Sequence, residues 1–578
     1  MLPFIFTDDL RRFQPYHHNG IPIMHTFGRF TFAAFAALCS FGSSSALAEE
    51  PAHHVVFIVI DQLRWDAMGC AGNKVVKTPN IDRLAREGTR LTRAYAACPV
   101  CVPARASMFT GTSVETHRVI DNKVSEIGKD QQVPDISSFD QVLFRNGFSG
   151  EYHGKYHNPY RWAMGYDNAV RPINGPVPPG SRAKINDTKA FRNFVDQNFP
   201  PGNLHVGELV GDRYHRPYRP LPIDPSFSKA EQLFEVQKDT YAKNQTGAGG
   251  SSQGTTYGIL VDYPDDLTLT AFTGRDALAA LERLKAKNGR FTLTVSIDPP
   301  HPPFLTTKRF ADMYPAKDMP VPGTINDSRT NSPYVILYPP GPDNVFGQPE
   351  RIQEGLSMYY ALVTEMDEWV GRILDRLDQL GLSQNTLVMF TSDHGEMMGE
   401  HGMQSKNIFY EHSVRVPLIL RLPGRIPAGK VVDTPVSHVD YFATILDYAQ
   451  VSAPPTEGTS IKPFIDGSAD NKDRVVFSEW PNPKFPGFMV CDGHWKLMFG
   501  RAPGNPSLDA LYHLDVDPDE LNNLIGANPD WKIHVSQAER LKSRLVEHLE
   551  KIKSPAAATV RARPIRSQAP LTPKRKDS

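Results

Sequence analysis

The sequence predicts an α/β fold, with a mostly parallel central sheet flanked by helices and a smaller sheet subdomain at the C-terminal end. Apolar runs that end abruptly on acids or histidines indicate buried parallel strands. Helical patterns with capping residues lie between these runs, and short strand patterns separated by turns follow residue 474. The 578 residues suffice for one large domain and a smaller appendage.

The composition excludes functions that depend on a strong overall charge. The chain has 63 lysines and arginines against 64 acidic residues, for a formal net charge of −1. Without a long-range field, neither a nucleic acid nor an acidic surface is favoured as a partner. We therefore expect no nucleic-acid partner.

The N-terminal 48 residues have the pattern of a leader for export. From Met24 a short basic segment precedes the apolar run "TFAAFAALCSF", which is too short to span a bilayer. The following "SSSALA" provides a cleavage site after Ala48. The sequence predicts a signal peptide within residues 1–48 and no membrane span, so the mature protein is expected in the periplasm or outside the cell.

The first predicted strand and helix come directly after this leader. Residues 55–60 form an apolar run that ends at Asp61, as in a buried parallel strand with a carboxylate at its carboxyl end. In "TPNIDRLAREG", Thr78 and Pro79 provide a helix start, and Gly88 provides its end. Asp61 is therefore expected at the edge of the sheet.

The segment "ACPVCVPARASMFTG" contains two cysteines three residues apart, Cys98 and Cys101. A zinc site would need a second pair of ligands at close spacing, and four cysteines outside the leader do not make a disulfide framework in an exported protein of this size. Pro103 fits a first helical turn and Gly111 a helix end. Cys101 is thus expected at a helix N-terminus, where free N–H groups and the helix dipole favour an anion.

Two later strands also end in polar side chains. "FTLTVSIDPPHPPF" ends with Asp298 and His301, and "NTLVMFTSDHGE" ends with Asp393 and His394. In open α/β sheets the ligand crevice lies at the carboxyl ends of the strands. The sequence therefore predicts that His301, Asp393 and His394 surround one crevice together with Asp61.

In this order, eight motifs resemble the formylglycine-dependent sulfatases of the alkaline phosphatase superfamily. They are "VIDQLRWDAMGCAGN", "TPNIDRLAREG", "CVPARASMFTG", "HGKYH", "PPHPPF", "SDHGEMMGEHGMQSK", "YEHSVRVPLIL" and "LYHLDVDPDELNNL". The resemblance implies an alkaline-phosphatase-like catalytic domain over residues 49–465 and a C-terminal antiparallel-sheet subdomain with a helix over 466–553. The Pro-rich, basic residues 554–578 are predicted to be a disordered tail.

The resemblance also implies a modified nucleophile. In this family the cysteine of C-x-P-x-R is oxidised to Cα-formylglycine, an aldehyde, by a formylglycine-generating or equivalent maturation enzyme. Cys101 is then the precursor of the nucleophile, and Cys98 has no catalytic role. The usual motif has serine where this chain has Ala104, but the core pattern is intact.

By the same resemblance, a divalent metal is bound by Asp61, Gln62, Asp393 and His394 together with residue 101. The commonest pattern has a second aspartate at the position of Gln62, and asparagine or histidine at that of His394. The site thus has fewer carboxylates than a typical calcium site, and this difference increases its preference for manganese or similar ions. Calcium remains the favoured ion.

Five further residues are implied to act on the ester. Arg105 follows Cys101 by one helical turn and bonds the nucleophile and the carboxylates. Lys155 contacts the sulfate, and His157 serves as base for sulfate release. His301 and Lys406 contact the ester oxygen, and one of them donates its proton. For His117 and Asn122 two roles remain open, support of the active site or support of the fold alone. We expect His401 to have a structural role.

Three classes of function remain open at this level. The first is a sulfatase acting on a sulfated carbohydrate or, like a choline-sulfatase, on a small sulfate ester. The second is a phosphonate monoester or phosphodiester hydrolase of the same superfamily, against which "GKYH" argues. The third is a non-catalytic carbohydrate-binding relative, which is disfavoured because no expected site residue is missing.

Overall fold

The computed structural model describes residues 52–122, 136–155, 157–158, 189–198, 206–207, 257–260, 263–335, 344–469, 473–480, 487–500 and 508–569. The predicted leader therefore lies outside the described residues. Within the described part of the chain, no helix is both long and apolar enough to cross a membrane.

Within the described residues, fifteen strands form three sheets. In chain order they are β1 (His54–Ile60), β2 (Thr89–Tyr95), β3 (Ser149–Gly154), β4 (Val206–Gly207), β5 (Tyr257–Leu260), β6 (Phe291–Ile297), β7 (Phe304–Thr307), β8 (Thr386–Ser392), β9 (Arg415–Arg421), β10 (Lys430–Val432), β11 (Val436–Ser437), β12 (Val476–Trp480), β13 (Gly487–Cys491), β14 (Trp495–Gly500) and β15 (Ala510–His513). The central sheet has the order β10-β2-β9-β8-β1-β6-β3, and β11 pairs with β2.

The central sheet is mostly parallel, as predicted. β1 pairs in parallel with β6 and β8, and β3 pairs in parallel with β6. β9 runs antiparallel to both of its neighbours, β2 and β8. The three-residue β10 and the short β11 extend the far edge in parallel with β2. The α/β fold class is therefore confirmed.

β1 is fully buried because helices cover both faces of the sheet. Val55, Phe57 and Val59 belong to one hydrophobic core, and the alternate residues Val56 and Ile58 belong to the other. This alternation of faces is the geometry of a strand. The continuous apolar run in the sequence thus reflects a central strand with two covered faces.

In the described part of the main domain the helices are Pro79–Glu87, Cys101–Thr110, Val114–His117, Phe139–Arg145, Lys189–Asn198, Leu269–Ala286, Lys308–Ala311, Pro349–Gln379, Glu411–Val414, Val439–Tyr448 and Lys462–Asp466. The longest of them, Pro349–Gln379, packs against Leu269–Ala286. A side chain at Gly274 would collide with the ring of Trp369, with only 2.2 Å from its Cβ to the nearest ring atom. Glycine at this position allows the two helices to approach closely.

The C-terminal subdomain is an antiparallel sheet of the order β12-β13-β14-β15, which confirms the predicted second subdomain fold. The helix Trp531–Lys551 covers one face of this sheet, and its Leu541 and Leu545 pack there with Phe488 and Leu497. Met489 and Met498, on the other face, belong to the core of the main domain.

The tail was predicted to be disordered from residue 554, and this prediction is wrong for residues 554–569. They contain the helix Ala556–Ala562, and Val560 and Ile565 are buried in the core of the C-terminal subdomain. The buried Val560 and Ile565, together with Ala556 and the ion pair of Arg563 with Asp509, hold this basic, Pro-rich segment on the subdomain. The part of the tail from residue 570 onward lies outside the described residues.

Candidate active site

The register of the central sheet brings three polar strand ends to one level. Ile60 at the end of β1 pairs with Ile297 of β6 and with Ser392 of β8. Each of these strands is followed at once by an aspartate: Asp61, Asp298 and Asp393. The crevice predicted from the sequence therefore exists, because neighbouring parallel strands of equal register end side by side.

Four possible metal donors meet in this crevice. Asp61, Cys101, Asp393 and His394 each place one donor atom within 4.8 Å of the others, and all four side chains are buried. Two carboxylates, an imidazole and the side chain of residue 101 make a donor set that suits a divalent cation. The arrangement brings like charges together in a buried place, which a cation would offset.

Cys101 is the first residue of the helix Cys101–Thr110, as predicted. Its Sγ lies 3.0 Å from His394 Nε2 and 3.9 Å from Asp61 Oδ1. Asn122 binds the same turn, because its Oδ1 accepts a hydrogen bond from the Val102 N–H at 3.0 Å and its Nδ2 lies 3.9 Å from Cys101 Sγ. The side chain of residue 101 therefore points into the donor cluster.

Burial and Asp61 each raise the pKa of the Cys101 thiol, but Lys406, His394 and a hydrogen bond from His157 outweigh them. The net pKa lies well below the usual value of a thiol. Cys98, in contrast, has its pKa raised by burial and by Glu479. The two cysteines of the C-x-x-C sequence thus occupy opposite electrostatic environments.

Arg105 connects the donor cluster to the neighbouring strands. Its Nε donates to Asp393 Oδ2 at 2.8 Å, and its Nη2 donates to Asp61 Oδ2 at 3.3 Å. Its Nη1 donates to the Lys155 carbonyl at 3.0 Å and to Ser296 Oγ at 2.8 Å. The guanidinium is 1% exposed, so it spans both carboxylates in a site closed to solvent.

Lys155 follows β3 directly and bridges two carboxylates. Its Nζ lies 2.7 Å from Asp61 Oδ2 and 2.8 Å from Asp298 Oδ1. Gly154 before it has φ +98°, and a Cβ there would lie 1.9 Å from the Ser296 carbonyl oxygen. Only glycine allows this turn, which directs Lys155 into the crevice.

The two aspartates that contact Arg105 have different pKa values. Burial raises the pKa of Asp61, but Lys155, His301 and Arg105 together hold it well below its usual value. Burial and the neighbouring Asp61 raise the pKa of Asp393. The site therefore places one carboxylate with a lowered pKa beside a second with a raised pKa.

Two histidines lie at the same crevice. His157 forms a hydrogen bond with Cys101, and burial lowers its pKa, as does the neighbouring charge of Lys155. His301 is half-buried at the mouth, and its Nδ1 lies 2.8 Å from the Pro302 carbonyl. His301 also contributes to the low pKa of Asp61, so both histidines belong to this electrostatic unit.

Gln62 and Lys406 lie beside the donor cluster. The Gln62 N–H donates to Asp393 Oδ1 at 3.1 Å, and its side-chain Oε1 accepts a hydrogen bond from Lys406 Nζ. The Gln62 Nε2 donates to Glu396, a buried carboxylate that the sequence did not point to. Asp298 is a second carboxylate of this kind. The sequence shows only that it follows a strand, whereas the structure shows that it binds Lys155.

The residues left open in the sequence separate in the structure. Asn122 contacts Cys101, whereas His117 lies behind the helix, bonded to Ser107 Oγ at 3.0 Å and to the Val119 N–H at 3.0 Å. Burial lowers the pKa of His117 to about 3, so this imidazole is neutral. His401 is bonded to Asp327 at 2.7 Å and stacked on Tyr410, as expected for a structural histidine.

Two protein-family models match this chain. A family model described as Sulfatase matches residues 53–451, and a model of the N-sulphoglucosamine sulphohydrolase C-terminal region matches residues 399–551. The chain is 26% identical over 510 residues to an arylsulfatase of Clostridium perfringens, which covers 86% of this chain and 94% of the relative. It is 24% identical over 543 residues to an N-acetylglucosamine-6-O-sulfatase of Bacteroides thetaiotaomicron, which covers 86% of each chain.

Among solved structures, the fold resembles a phosphonate monoester hydrolase of Silicibacter pomeroyi with a TM-score of 0.64. The sequence identity is 21%, and the match covers 87% of this chain and 96% of the other. At this identity the likeness concerns the fold alone.

Proposed function

The chain belongs to the sulfatase family and is a sulfuric ester hydrolase, and we propose that it cleaves a sulfate monoester of a carbohydrate through an aldehyde formed at Cys101. The observation that carries this proposal is the surroundings of Cys101. Its Sγ is buried at a helix start, 3.0 Å from His394, within reach of two carboxylates and beside Lys406. In a disulfide, Cys101 Sγ would lie next to a second sulfur atom, and in a structural zinc site it would lie among further cysteine or histidine ligands.

A divalent metal fits the four buried donors. Asp61, Asp393, His394 and residue 101 would hold it, with the adjacent Gln62 as the further ligand that the family resemblance implies. Calcium is our first choice, with manganese as the alternative because one imidazole replaces an oxygen donor. Such an ion lowers the pKa of a hydroxyl nucleophile and neutralises the charge of the sulfate. Arg105 already bridges both aspartates, and this contact fixes them in place for a cation.

The other steps of the proposed reaction are assigned to side chains of the protein. One hydroxyl of the hydrated aldehyde first releases its proton to water, and its oxygen then forms a bond to sulfur while the bond between sulfur and the ester oxygen breaks. His301 or Lys406 donates a proton to that oxygen, which leaves as an alcohol. His157 then accepts the proton of the second hydroxyl as the carbonyl group forms again and sulfate departs, and water rehydrates the aldehyde. Lys155 contacts the sulfate oxygens throughout.

The neutral state of His157 supports its role as a base. Burial lowers its pKa, so the imidazole can accept a proton near neutral pH. Lys155 stays charged, because burial lowers its pKa less than Asp298 and Asp61 raise it. A base and a permanent cation on one short segment suit a reaction in which a proton moves and the sulfate charge stays.

Within the proposal, a sulfated carbohydrate is the substrate class, since a sugar sulfatase is among the relatives. The maturation enzyme acts on Cys101 before folding closes the site, because this side chain is fully buried in the folded chain. The signal peptide proposed within residues 1–48 directs the protein to the periplasm or the exterior, where sulfated polymers are accessible.

The second candidate is a phosphonate monoester or phosphodiester hydrolase. Gln62 beside Asp61, with His394 after Asp393, is the pattern that this sister class shares with the chain. The position of Lys155 favours sulfatase activity over phosphodiesterase activity. A diester carries a second organic group at the place where Lys155 would bind a terminal oxygen of a sulfate.

Mass spectrometry of the active protein tests the proposal directly. The peptide that contains Cys101 should be lighter than the cysteine form by about 18 Da, which corresponds to replacing CH₂SH by CHO. The variant Cys101→Ala should lose sulfate-ester hydrolysis, whereas the control variant Cys98→Ala should still acquire the aldehyde at residue 101. Full activity with only unmodified cysteine at residue 101 would contradict the mechanism.

A further inference from the structure

A small pocket lies next to the crevice, and His301 and Asp298 form part of its wall. Its volume is about 60 Å³, which admits a group of a few non-hydrogen atoms rather than a whole sugar ring. In the proposed function His301 contacts the ester oxygen, so the pocket is within reach of the alcohol half of the substrate. A substituent of the sugar, and not the sulfate, is therefore the group that can enter it.

Most of the remaining wall of this pocket is apolar. Aliphatic and aromatic side chains line it, namely Leu260, Leu269, Leu305, Leu362, Phe191 and Tyr263. Among the described residues of the wall there is neither a lysine nor an arginine. A carboxylate or a second sulfate would lose its hydration there without gaining a cation. The pocket therefore favours an uncharged substituent.

One polar group in this wall is the carboxyl of Glu365. Glu365 is 1% exposed, and its carboxyl accepts a hydrogen bond from the Thr268 hydroxyl. Burial raises the pKa of Glu365 to about 8, so the carboxyl holds a proton at pH 7. A protonated carboxyl donates a hydrogen bond as well as accepting one. Glu365 thus provides a neutral donor in a wall of leucine side chains.

An acetamido group matches this pocket in size and in polarity. Its methyl group can contact the leucine side chains, and its carbonyl oxygen can accept the proton of the Glu365 carboxyl. A hydroxyl group would leave most of the apolar wall without a contact. An ammonium or an N-sulfate group would be desolvated as a charge.

We propose that this pocket binds the N-acetyl substituent of a sulfated amino sugar, and that Glu365 is the residue that selects it. The inference rests on the proposed function and narrows its substrate class from sulfated carbohydrates to sulfate esters of N-acetylated amino sugars. Glu365 makes and breaks no covalent bond in this role. It acts only through its hydrogen bonds to the bound amide.

A matched series of substrates tests the selection in the wild-type enzyme. Glucosamine and galactosamine sulfates with an acetylated, sulfonated or free nitrogen are compared with glucose and galactose sulfates, each with the sulfate at O-3, O-4 or O-6. For the best N-acetylated isomer, kcat/KM of the metal-loaded, aldehyde-containing enzyme should exceed that of the matched hexose by about tenfold or more. It should exceed that of the N-sulfonated form by about a hundredfold or more. Equal values, or a preference for any of the other forms, would overturn the proposal.

A substitution that fills the pocket connects this preference to its room. Leu305 is half-buried in the wall, and Leu305→Phe should lower the ratio of kcat/KM for the N-acetylated sugar to that for the hexose to about threefold or less. Leu278→Phe makes the same exchange at a half-buried leucine outside the pocket and should keep the wild-type ratio. The ratio does not depend on the amount of folded enzyme, so partial misfolding does not imitate the effect.

Substitutions of Glu365 separate its hydrogen bonds from its bulk. Glu365→Gln keeps a neutral group that donates and accepts, and the ratio should stay within about threefold of the wild type. Glu365→Met removes both functions at similar size and should lower the ratio by about tenfold. An unchanged ratio in Glu365→Met would show that Glu365 does not select the acetamido group.

Hydrolysis of 4-nitrophenyl sulfate, which carries no such substituent, separates this inference from the proposed function. If the wild type hydrolyses this ester but shows no preference among the sugars, or cleaves none of the N-acetylated ones, the role of the pocket alone is wrong. If the aldehyde-containing, metal-loaded protein hydrolyses no sulfate ester at all, the proposed function fails and the inference fails with it.

Discussion

Two regions of this molecule bury a lysine between two carboxylates. In the crevice, Lys155 Nζ lies 2.7 Å from Asp61 and 2.8 Å from Asp298. Between the main domain and the C-terminal sheet, Lys496 Nζ lies 2.7 Å from Glu411 and 2.7 Å from Glu520. Both lysines are at most 3% exposed, so the two clusters are alike in composition and burial.

The clusters differ in which further groups contact their carboxylates. Lys496 also donates to the Phe409 carbonyl at 2.9 Å, and Glu520 accepts the Glu411 N–H at 2.6 Å. Glu411 is also bonded to Arg415 Nη1 at 3.3 Å and to the Tyr95 hydroxyl at 3.4 Å, and the cluster joins β14 to the main domain. In the crevice, Asp61 is shared by Lys155, Arg105 and the donor group that contains Cys101 and His394.

This difference teaches where function lies. A buried lysine between carboxylates can be a structural clamp, because mutual neutralisation is enough to bury the charges. The crevice differs from the clamp because two carboxylates, an imidazole and the side chain of residue 101 place donor atoms within 4.8 Å of one another. Acceptors gathered around a common point, and not the ion pair itself, distinguish the site from the clamp.

The largest effect is expected from removing a carboxylate of the donor cluster. Asp393→Ala should lower kcat/KM on a sulfate ester by more than about a thousandfold, because it removes both a proposed metal ligand and the ion-pair partner of Arg105. Chelation should do the same, reversibly, and activity that survives exhaustive metal removal would contradict the assignment. Restoring the enzyme with calcium or with manganese compares the two ions.

The next effect concerns the structural clamp. Lys496→Met should lower the free energy of unfolding by about 3–5 kcal/mol, because it leaves Glu520 buried without its lysine and Glu411 with Arg415 alone. Urea unfolding measures this loss, and the turnover of the protein that remains folded should match the wild type. An unchanged unfolding midpoint would mean that the clamp does not stabilise the chain.

Lys155→Ala should cost sulfate-ester turnover on the order of a hundredfold or more, the scale of one transition-state charge contact. Turnover of an aryl phosphodiester should fall much less, because the second organic group would crowd this lysine. Kinetics on 4-nitrophenyl sulfate and bis(4-nitrophenyl) phosphate compare the two. If the wild type prefers the diester and both substrates suffer equally, the phosphodiesterase alternative replaces the sulfatase.

The smallest effect concerns Glu365, a buried carboxyl bonded to Thr268. Burial raises its pKa from 4.5 to about 8. The folded chain therefore holds a proton that the unfolded chain releases above pH 4.5, so this group reduces stability as pH rises from 4.5 to about 8.

The neutral isostere Glu365→Gln should match the wild type in stability near pH 4.5 and exceed it by at least about 1 kcal/mol at pH 9. Urea unfolding at several pH values measures the difference. A constant difference across this range would mean that Glu365 is ionised in the fold.

Much of the fold and of the site could be predicted from the sequence, because the relevant signals are local. The apolar run before Asp61, the strand before Asp393 and the helix start at Cys101 each lie within about a dozen residues. The tail was predicted wrongly, because composition alone does not reveal that Val560 and Ile565 find an apolar surface.

The sequence by itself determined which side chains stand at the ends of strands and at the start of the helix, since backbone pattern and capping are properties of short segments. Only the tertiary structure decided what these side chains contact. Gln62 meets Glu396, 334 residues away, and Lys155 meets Asp298. Such partners depend on strand register and on loop paths, which arise when distant segments pack together and no local pattern encodes them.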